Sequence, residues 1–386
     1  MKDQITVAYR EGFEFGMGVR SASASPKGLG VVGAVTGVEG AGAGHGEFYM
    51  SRIESFEDLE RELGISAEAS AGVGCFSASA RFDFAQRCKV QSHSLFLLLS
   101  ATEQLGFKQI DDPALSDAAA ELTNSGDMEL FLDRYGDGFV RGMQSGGQFF
   151  GMFRLSFKSQ QSKESISGDL HGAYGAFSGK ASSTFEEAVS SSDVSVEVFV
   201  YHEGGKVTGQ PTDPQQLLAA AREWRATVEQ FPLPYAVTIA PYVLARGPKM
   251  PNEADLLHQR DVLVRCAKLR SRTIEYQNLV DYVQDPNNRA NLQIVPPPEG
   301  PDLGALQASL ALDIDMIGAA ASFAIDHPKE AMEVEIFARK QKELPDYKLT
   351  VLPANMPALN LGKEPVVVPP APGPVRIFAG IGQRVR

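Results

Sequence analysis

The side chains best suited to bond-breaking chemistry are few and scattered. The six histidines, His45, His93, His171, His202, His258 and His327, form no HExxH pattern and no close cluster. A zinc site needs several ligands at defined spacing, so they read as surface or core histidines. Cys75, Cys88 and Cys266 include no CxxC pair and cannot all pair within one chain, so they read as free thiols and not as a disulfide framework. The stretch Gly40-Ala41-Gly42-Ala43-Gly44-His45-Gly46 evokes a phosphate-cradling loop, but Glu47-Phe48-Tyr49-Met50 does not clearly open the helix that such a loop requires. No GxSxG motif occurs, and no acid, base and nucleophile set can be assembled. No catalytic residue, metal or cofactor is expected, and the chain does not read as an enzyme.

The patterning shows a different feature, stretches in which apolar or small residues alternate with polar ones. From Ala71 to Phe84 one register carries Gly72, Gly74, Phe76, Ala78, Ala80, Phe82 and Phe84, and the other carries Cys75, Ser77, Ser79, Arg81 and Asp83. Residues 159–192 repeat the texture. Ile166, Leu170 and Tyr174 alternate with Ser165, Ser167, Asp169 and His171, and then Phe177, Gly179, Ala181 and Phe185 alternate with Ser178, Lys180, Ser182, Thr184 and Glu186. A period of two with one greasy face is that of a strand.

The elements around these stretches follow from the same reading. Val31-Val32 and Ala34-Val35 suggest a strand, and Ile53, Phe56, Leu59 and Leu63 a short amphipathic helix. Leu95-Phe96-Leu97-Leu98-Leu99 reads as a buried helix or strand, within a wider region, 94–134, expected to be helical. Residues 148–158 alternate as a strand, and Val194 to Val200 form a strong one that stops at Gly204-Gly205. Helices are expected over 214–230, 253–284 and roughly 303–343, with an extended segment at Tyr235–Leu244 and a polyproline-like tail at Pro365–Pro374. No run of about 20 apolar residues is seen, so no transmembrane helix is expected. The net charge of −12 argues against nucleic acid as a partner. Met1-Lys2-Asp3-Gln4 lacks the apolar core of a signal peptide.

The stretch Tyr135-Gly136-Asp137-Gly138-Phe139, followed after a spacer by Gly146-Gly147, resembles the signature of the membrane-attack-complex/perforin family. Asp137 and Gly138 depart from it, replacing a Thr or Ser and a His. The order of neighbouring segments also resembles the family, over roughly residues 1–248. That resemblance implies an α+β fold: a bent, twisted antiparallel four-stranded sheet flanked by two helical clusters, residues 52–90 and 156–192. Tyr135, Gly136, Phe139, Gly146, Gly147, Gly204 and Gly205 would be its signature and hinge positions. A mostly helical region, 249–345, and a Pro-rich extended tail, 346–386, would follow.

It further implies a soluble protein, released or secreted, that oligomerises on a target membrane and turns the two clusters into β-hairpins of a barrel pore. A strand crosses the bilayer in about 9–11 residues, so each segment is long enough for a hairpin. The lipid-facing side would carry Phe76, Ala78, Ala80, Phe82 and Phe84 from the first, and Ile166, Leu170, Tyr174 and Phe177 from the second. Expected partners are membrane lipid, further copies of the chain and a separate targeting protein. The alternative is a non-lytic member of the family acting in adhesion, in surface binding or as a subunit needing such a partner.

Overall fold

A computed structural model describes residues 4–9, 11–20, 25–39, 48–65, 71, 80–176, 179–190, 193–247, 254–293 and 300–361. The first half runs β1 (Ile5–Ala8), β2 (Met17–Arg20), β3 (Ser25–Leu29), β4 (Val31–Glu39), β5 (Tyr49–Ile53), α1 (Phe56–Glu62), α2 (Ala80–Cys88) and β6 (Leu95–Leu115). Next come α3 (Asp117–Ser125), α4 (Met128–Tyr135), β7 (Gly138–Phe157), α5 (Gln160–Asp169), β8 (Gly175–Ala176), α6 (Gly179–Val189) and β9 (Val194–Glu203). The rest is α7 (Pro214–Thr227), β10 (Leu233–Pro241), α8 (Ala254–Gln284), β11 (Leu292–Gln293), α9 (Leu303–Asp326), α10 (Val334–Gln341) and β12 (Ala358–Leu359).

The fold is α+β, built on an antiparallel sheet with helices on both faces. Among the described residues this sheet has ten strands, which corrects the expected four. Four rows run through its middle, with β1 adding a fifth beyond β10 and β8 a short one beyond β5. The long strands β6 and β7 pair along most of their length, from Leu95↔Leu155 to Gln109↔Gly142. On the outer side of β6 lie β5 and β4 in turn, and on the outer side of β7 lie β9 and β10.

The largest correction concerns residues 94–134. Leu95–Leu115 is a 21-residue strand, and only the two short helices α3 and α4 follow it. The misreading has a physical cause. Both faces of β6 are covered: Phe96 and Leu98 enter one core, while Leu95, Leu97 and Leu99 enter the other. A strand buried on both faces reads as a continuous apolar run without alternation. The strand expected over 148–158 begins earlier, at Gly138, so Gly146-Gly147 lies inside β7.

The first core packs Phe96, Leu98, Phe150 and Met152 against Phe56, Leu59, Phe82 and Phe84. Ser55 starts α1 with a capping box, accepting from Asp58 N while Asp58 accepts from Ser55 N. The second core, on the opposite face, packs Leu97, Leu99, Phe149 and Phe153 against Ile166, Leu170, Phe185, Leu217 and Trp224.

The C-terminal helices α8, α9 and α10 have a core of their own around Leu263, Ile317, Ala320 and Phe337, while Ile274 of α8 joins the first sheet core. The helix expected over 303–343 is interrupted at His327-Pro328, where a proline cannot continue it. By length and composition α9 is apolar enough to cross a membrane, contrary to the expectation that no such run exists. One of its faces packs on α8 and α10, and its buried Asp313 accepts hydrogen bonds from the Tyr347 hydroxyl (2.8 Å) and Thr350 N (2.8 Å). Residues 350–361 lie against the fold, with β12 paired to β11; the Pro365–Pro374 segment lies outside the described residues.

Phe153 and Phe185 meet with ring centroids 4.5 Å apart, and both are fully buried. Phe153→Ala is expected to lower unfolding free energy by about 3–5 kcal/mol in a guanidinium titration. A loss below about 1 kcal/mol would show that the second cluster is not seated on the sheet.

Candidate functional site

The signature residues form a joint. Asp127 caps α4 by accepting from Leu130 N at 3.2 Å, and the helix ends at Tyr135 with Gly136 as its C-cap. Gly136 has φ +69°, and a Cβ there would overlap the Val19 carbonyl oxygen. The Tyr242 hydroxyl donates to Tyr135 O at 2.8 Å, and Phe131, Tyr135, Phe139 and Tyr242 pack as one aromatic group. Burial pushes the Tyr242 phenol well above its ordinary pKa, so it stays a donor. Asp137, at a departure from the signature, donates its backbone N–H to Val19 O at 3.1 Å.

From this joint β7 runs to Gly146-Gly147, where the sheet changes partners. Before that point the outer neighbour of β7 is β10, up to Leu233↔Gly146; beyond it the neighbour is β9, from Gln148↔Glu203 onward. The neighbour of β6 changes close by, from β4 at Glu39↔Gly106 to β5 at Tyr49↔Ser100. Register shifts occur between Gln104 and Gly106 and between Pro234 and Ala236. Such irregularities bend a strand and raise its twist. Gly146 takes φ +142°, and a Cβ there would overlap the Glu103 carbonyl oxygen. A Cβ on Gly147 would press on Glu203 O, Val228 and Trp224. Gly204-Gly205 ends β9 against the same spot, with Trp224 Nε1 donating to Glu203 O at 3.3 Å. The seven positions expected as signature and hinge fall in two groups, a joint at Tyr135, Gly136 and Phe139 and, where the sheet changes partners, the expected pivot at Gly146, Gly147, Gly204 and Gly205.

Below the pivot the two clusters hang on opposite faces. Phe82 meets Phe56 edge to face with centroids 6.5 Å apart, and Phe84 lies 5.9 Å from the Tyr201 ring. Both are buried, whereas Ala80 is exposed. Residues 80, 82 and 84 sit on a helix here, so they do not share a face as they would in a strand. In the second cluster Ile166 and Leu170 are buried and Tyr174 is half-buried. Phe76, Ala78 and Phe177 lie outside the described residues.

The side chain that sequence reading missed is Arg81, taken there only as a polar partner of the apolar register. It is 4% exposed and pairs with Glu203, 14% exposed, through Nε–Oε1 (2.7 Å) and Nη2–Oε2 (2.5 Å). It also donates to Leu63 O and Tyr235 O, each at 2.8 Å. The Tyr201 hydroxyl donates to Glu203 Oε1 at 2.7 Å. Burial first, then the Glu203 charge, pushes the Tyr201 phenol up, and burial lifts Tyr235 to about 12. The available signal was a lone arginine in a stretch of Ser, Gly, Ala and Phe, but nothing local pairs it with a residue 122 positions away.

The C-terminal part grips both clusters. Ser271 of α8 donates to Glu60 Oε2 at 2.5 Å, Asn278 Nδ2 donates to Val90 O at 3.0 Å, and the Arg270 guanidinium lies 5.0 Å over the Phe82 ring. Asn360 O accepts from Gln160 N at 2.7 Å, at the start of α5. His93 shares a 2.8 Å hydrogen bond with Pro357 O.

Among the described residues no group of three His, Cys, Asp or Glu side chains could hold a metal. Burial pushes the Cys88 thiol up and lifts Cys266 to about 12, so both are protonated and inert. A cleft of about 550 Å³ between the ends of β7 and β9 and the end of α8 is lined by Lys89, Arg154, Lys158, Glu197, Asp281 and Tyr282. Its charges answer one another, with Lys89–Asp281 at 2.8 Å, Lys158–Asp193 at 3.4 Å and Arg154 paired to Glu197.

No protein-family model matches the sequence, and no curated protein matches it. Solved structures of membrane-attack-complex/perforin and cytolysin type are among those it is similar to. A stonustoxin structure matches at 15% identity and TM-score 0.46, covering 88% of this chain and 45% of that one. GNIP1Aa from Chromobacterium piscinae matches at 16% identity and TM-score 0.35, covering 67% and 54%. A putative cell invasion protein with a MAC/perforin domain from Bacteroides thetaiotaomicron matches at 12% identity and TM-score 0.27, covering 61% and 53%. The chain thus spans about half the length of these structures.

Two expectations follow. Gly146→Ala should lower stability by about 1–3 kcal/mol from backbone strain, more if the Glu103 carbonyl cannot yield, whereas Gly168→Ala, in a helix with open space around it, should be neutral or stabilising. Equal effects in urea titrations would deny the pivot its steric character. For His93, burial pushes the pKa below its ordinary 6.5, partly countered by the Pro357 carbonyl and aided by Lys163. The unfolded chain then binds this proton more readily, so the group's contribution to stability is whole above pH 6.5 and declines as pH falls through and below it. His93→Gln should flatten the change in urea midpoint between about pH 7.5 and 5.5; an unchanged slope would refute this.

Proposed function

We infer that this chain is a pore-forming protein whose two helical clusters unwind into β-hairpins that complete a membrane barrel with other copies of itself. One observation carries the reading: each cluster is an insert between two adjacent, paired strands. The first leaves β5 at Ile53 and returns to β6 opposite it, at the Ile53↔Phe96 pair. The second leaves β7 at Phe157 and returns to β9 at the Phe157↔Val194 pair. Leu95↔Leu155 joins the middle strands at the same level. Unrolled, the two inserts would extend four antiparallel strands in their existing register.

The composition suits both states. Gly and Ser weaken a helix and ease its melting, while the alternating register supplies one apolar face for lipid and one polar face for a wet lumen. A bilayer admits strands only when every edge is paired, so a single subunit cannot suffice and ring closure with other copies is required. The outer edge of β9 has no strand partner among the described residues, and that of β5 is covered only by the two residues of β8. Membrane lipid is the target, and recognition of a particular membrane falls to a partner protein or to the C-terminal helices.

A second reading, a non-lytic protein of the same fold, draws on the grip of α8 over the first cluster. It predicts vesicle binding without dye release.

Tyr49 of β5 lies opposite Ala176 of β8, so cysteines at both positions can tie the second cluster to the sheet. In a Cys75→Ser background the oxidised Tyr49→Cys/Ala176→Cys variant should bind vesicles without releasing dye, and reductant should restore release. Release with the bond intact would end the hairpin mechanism.

A further inference from the structure

We propose that Arg81 is a latch coupling the bend of the sheet to the release of the first helical cluster. The idea rests on the pore-forming reading, since only a cluster that departs needs a latch. Arg81 belongs to α2, yet its guanidinium is bonded to both sides of the pivot. Glu203 closes β9, the neighbour of β7 below Gly147, and Tyr235 lies on β10, the neighbour above Gly146. Leu63 O, just past α1, takes a further donor. One planar fork thus spans the lower sheet, the upper sheet and the cluster.

A fork of fixed geometry cannot follow two strands that rotate relative to each other. If the sheet straightens at Gly146-Gly147, Glu203 and Tyr235 O shift apart, and Arg81 must surrender one of them. A buried guanidinium without its full set of acceptors is strongly disfavoured. The cheapest relief is for α2 to leave the sheet and hydrate the charge. The coupling is reciprocal, as linkage requires: lifting α2 first leaves the Glu203 carboxylate with the Tyr201 hydroxyl and loosens the pivot. In the extended form Arg81 falls in the register of Ser77, Ser79 and Asp83, the water side of a barrel strand. The charge therefore passes from an ion pair to water without facing lipid.

The test is hydrogen exchange of the full chain in solution, followed by dye release from phosphatidylcholine–cholesterol vesicles, for wild type, Glu203→Gln and Arg81→Lys. Glu203→Gln keeps shape and removes charge; Arg81→Lys keeps charge and removes the fork. Both should raise exchange in Ala80–Cys88 and, together with it, in the segments around Gly146 and Gly204 by about tenfold or more. The α9–α10 core should stay within about twofold, and vesicle release should begin sooner. A rise confined to Ala80–Cys88 would reduce Arg81 to local packing and overturn the latch, as would a uniform rise or none. Should a single substitution prevent folding, Arg81→Met with Glu203→Gln removes the buried charges and is judged by the same pattern. Coupled exchange without dye release from any variant, wild type included, would sustain the coupling of Arg81 to the sheet and favour the non-lytic reading over the pore-forming one.

Discussion

At the centre of this molecule several backbones come so close that no side chain fits between them. The carbonyl of Glu103 occupies the space a Cβ of Gly146 would need, and Glu203 with Trp224 fills that of Gly147. This contact lets β6 and β7 stay paired through a bend while their outer neighbours are exchanged.

In the half of the sheet below that bend the two middle strands, β6 and β7, are covered on both faces, which is uncommon for an antiparallel sheet. Antiparallel sheets more often keep one face in water. Here each face is roofed by an insert of the sheet itself, and the insert is rich in residues that hold helices weakly. The folded form therefore depends less on helix propensity than on aromatic packing, Phe82 and Phe84 on one side and Phe185 on the other. Polar ties supplement it at a few points. Arg81 joins the first cluster to both strands at the pivot, and α8 with the 350–361 segment binds the clusters from outside. These polar bonds can be exchanged for water at modest cost, whereas the apolar faces demand a new dry partner if they are uncovered.

Much was legible in the chain because it is local. Ile53, Phe56, Leu59 and Leu63 announce a short amphipathic helix, and Val194–Val200 a strand. The alternating stretches at 71–84 and 159–192 read as strands, while their described parts are mainly helical; the resemblance, not the periodicity, implied the helices. The reading of 94–134 failed for the converse reason. Periodicity reports a difference between two faces, and β6 has none in its first turns of the pleat.

By itself the sequence marked the glycine pairs where backbones can approach closely and the stretches whose two registers differ in polarity. These are properties of residue type at fixed spacing, set by sterics and local propensity. Only the tertiary structure decided that the clusters lie on opposite faces, that each begins and ends on paired strands, and that Arg81 meets Glu203. Such facts depend on contacts between residues far apart in the chain, and a pair 122 positions apart leaves no local trace of the burial that brings it together.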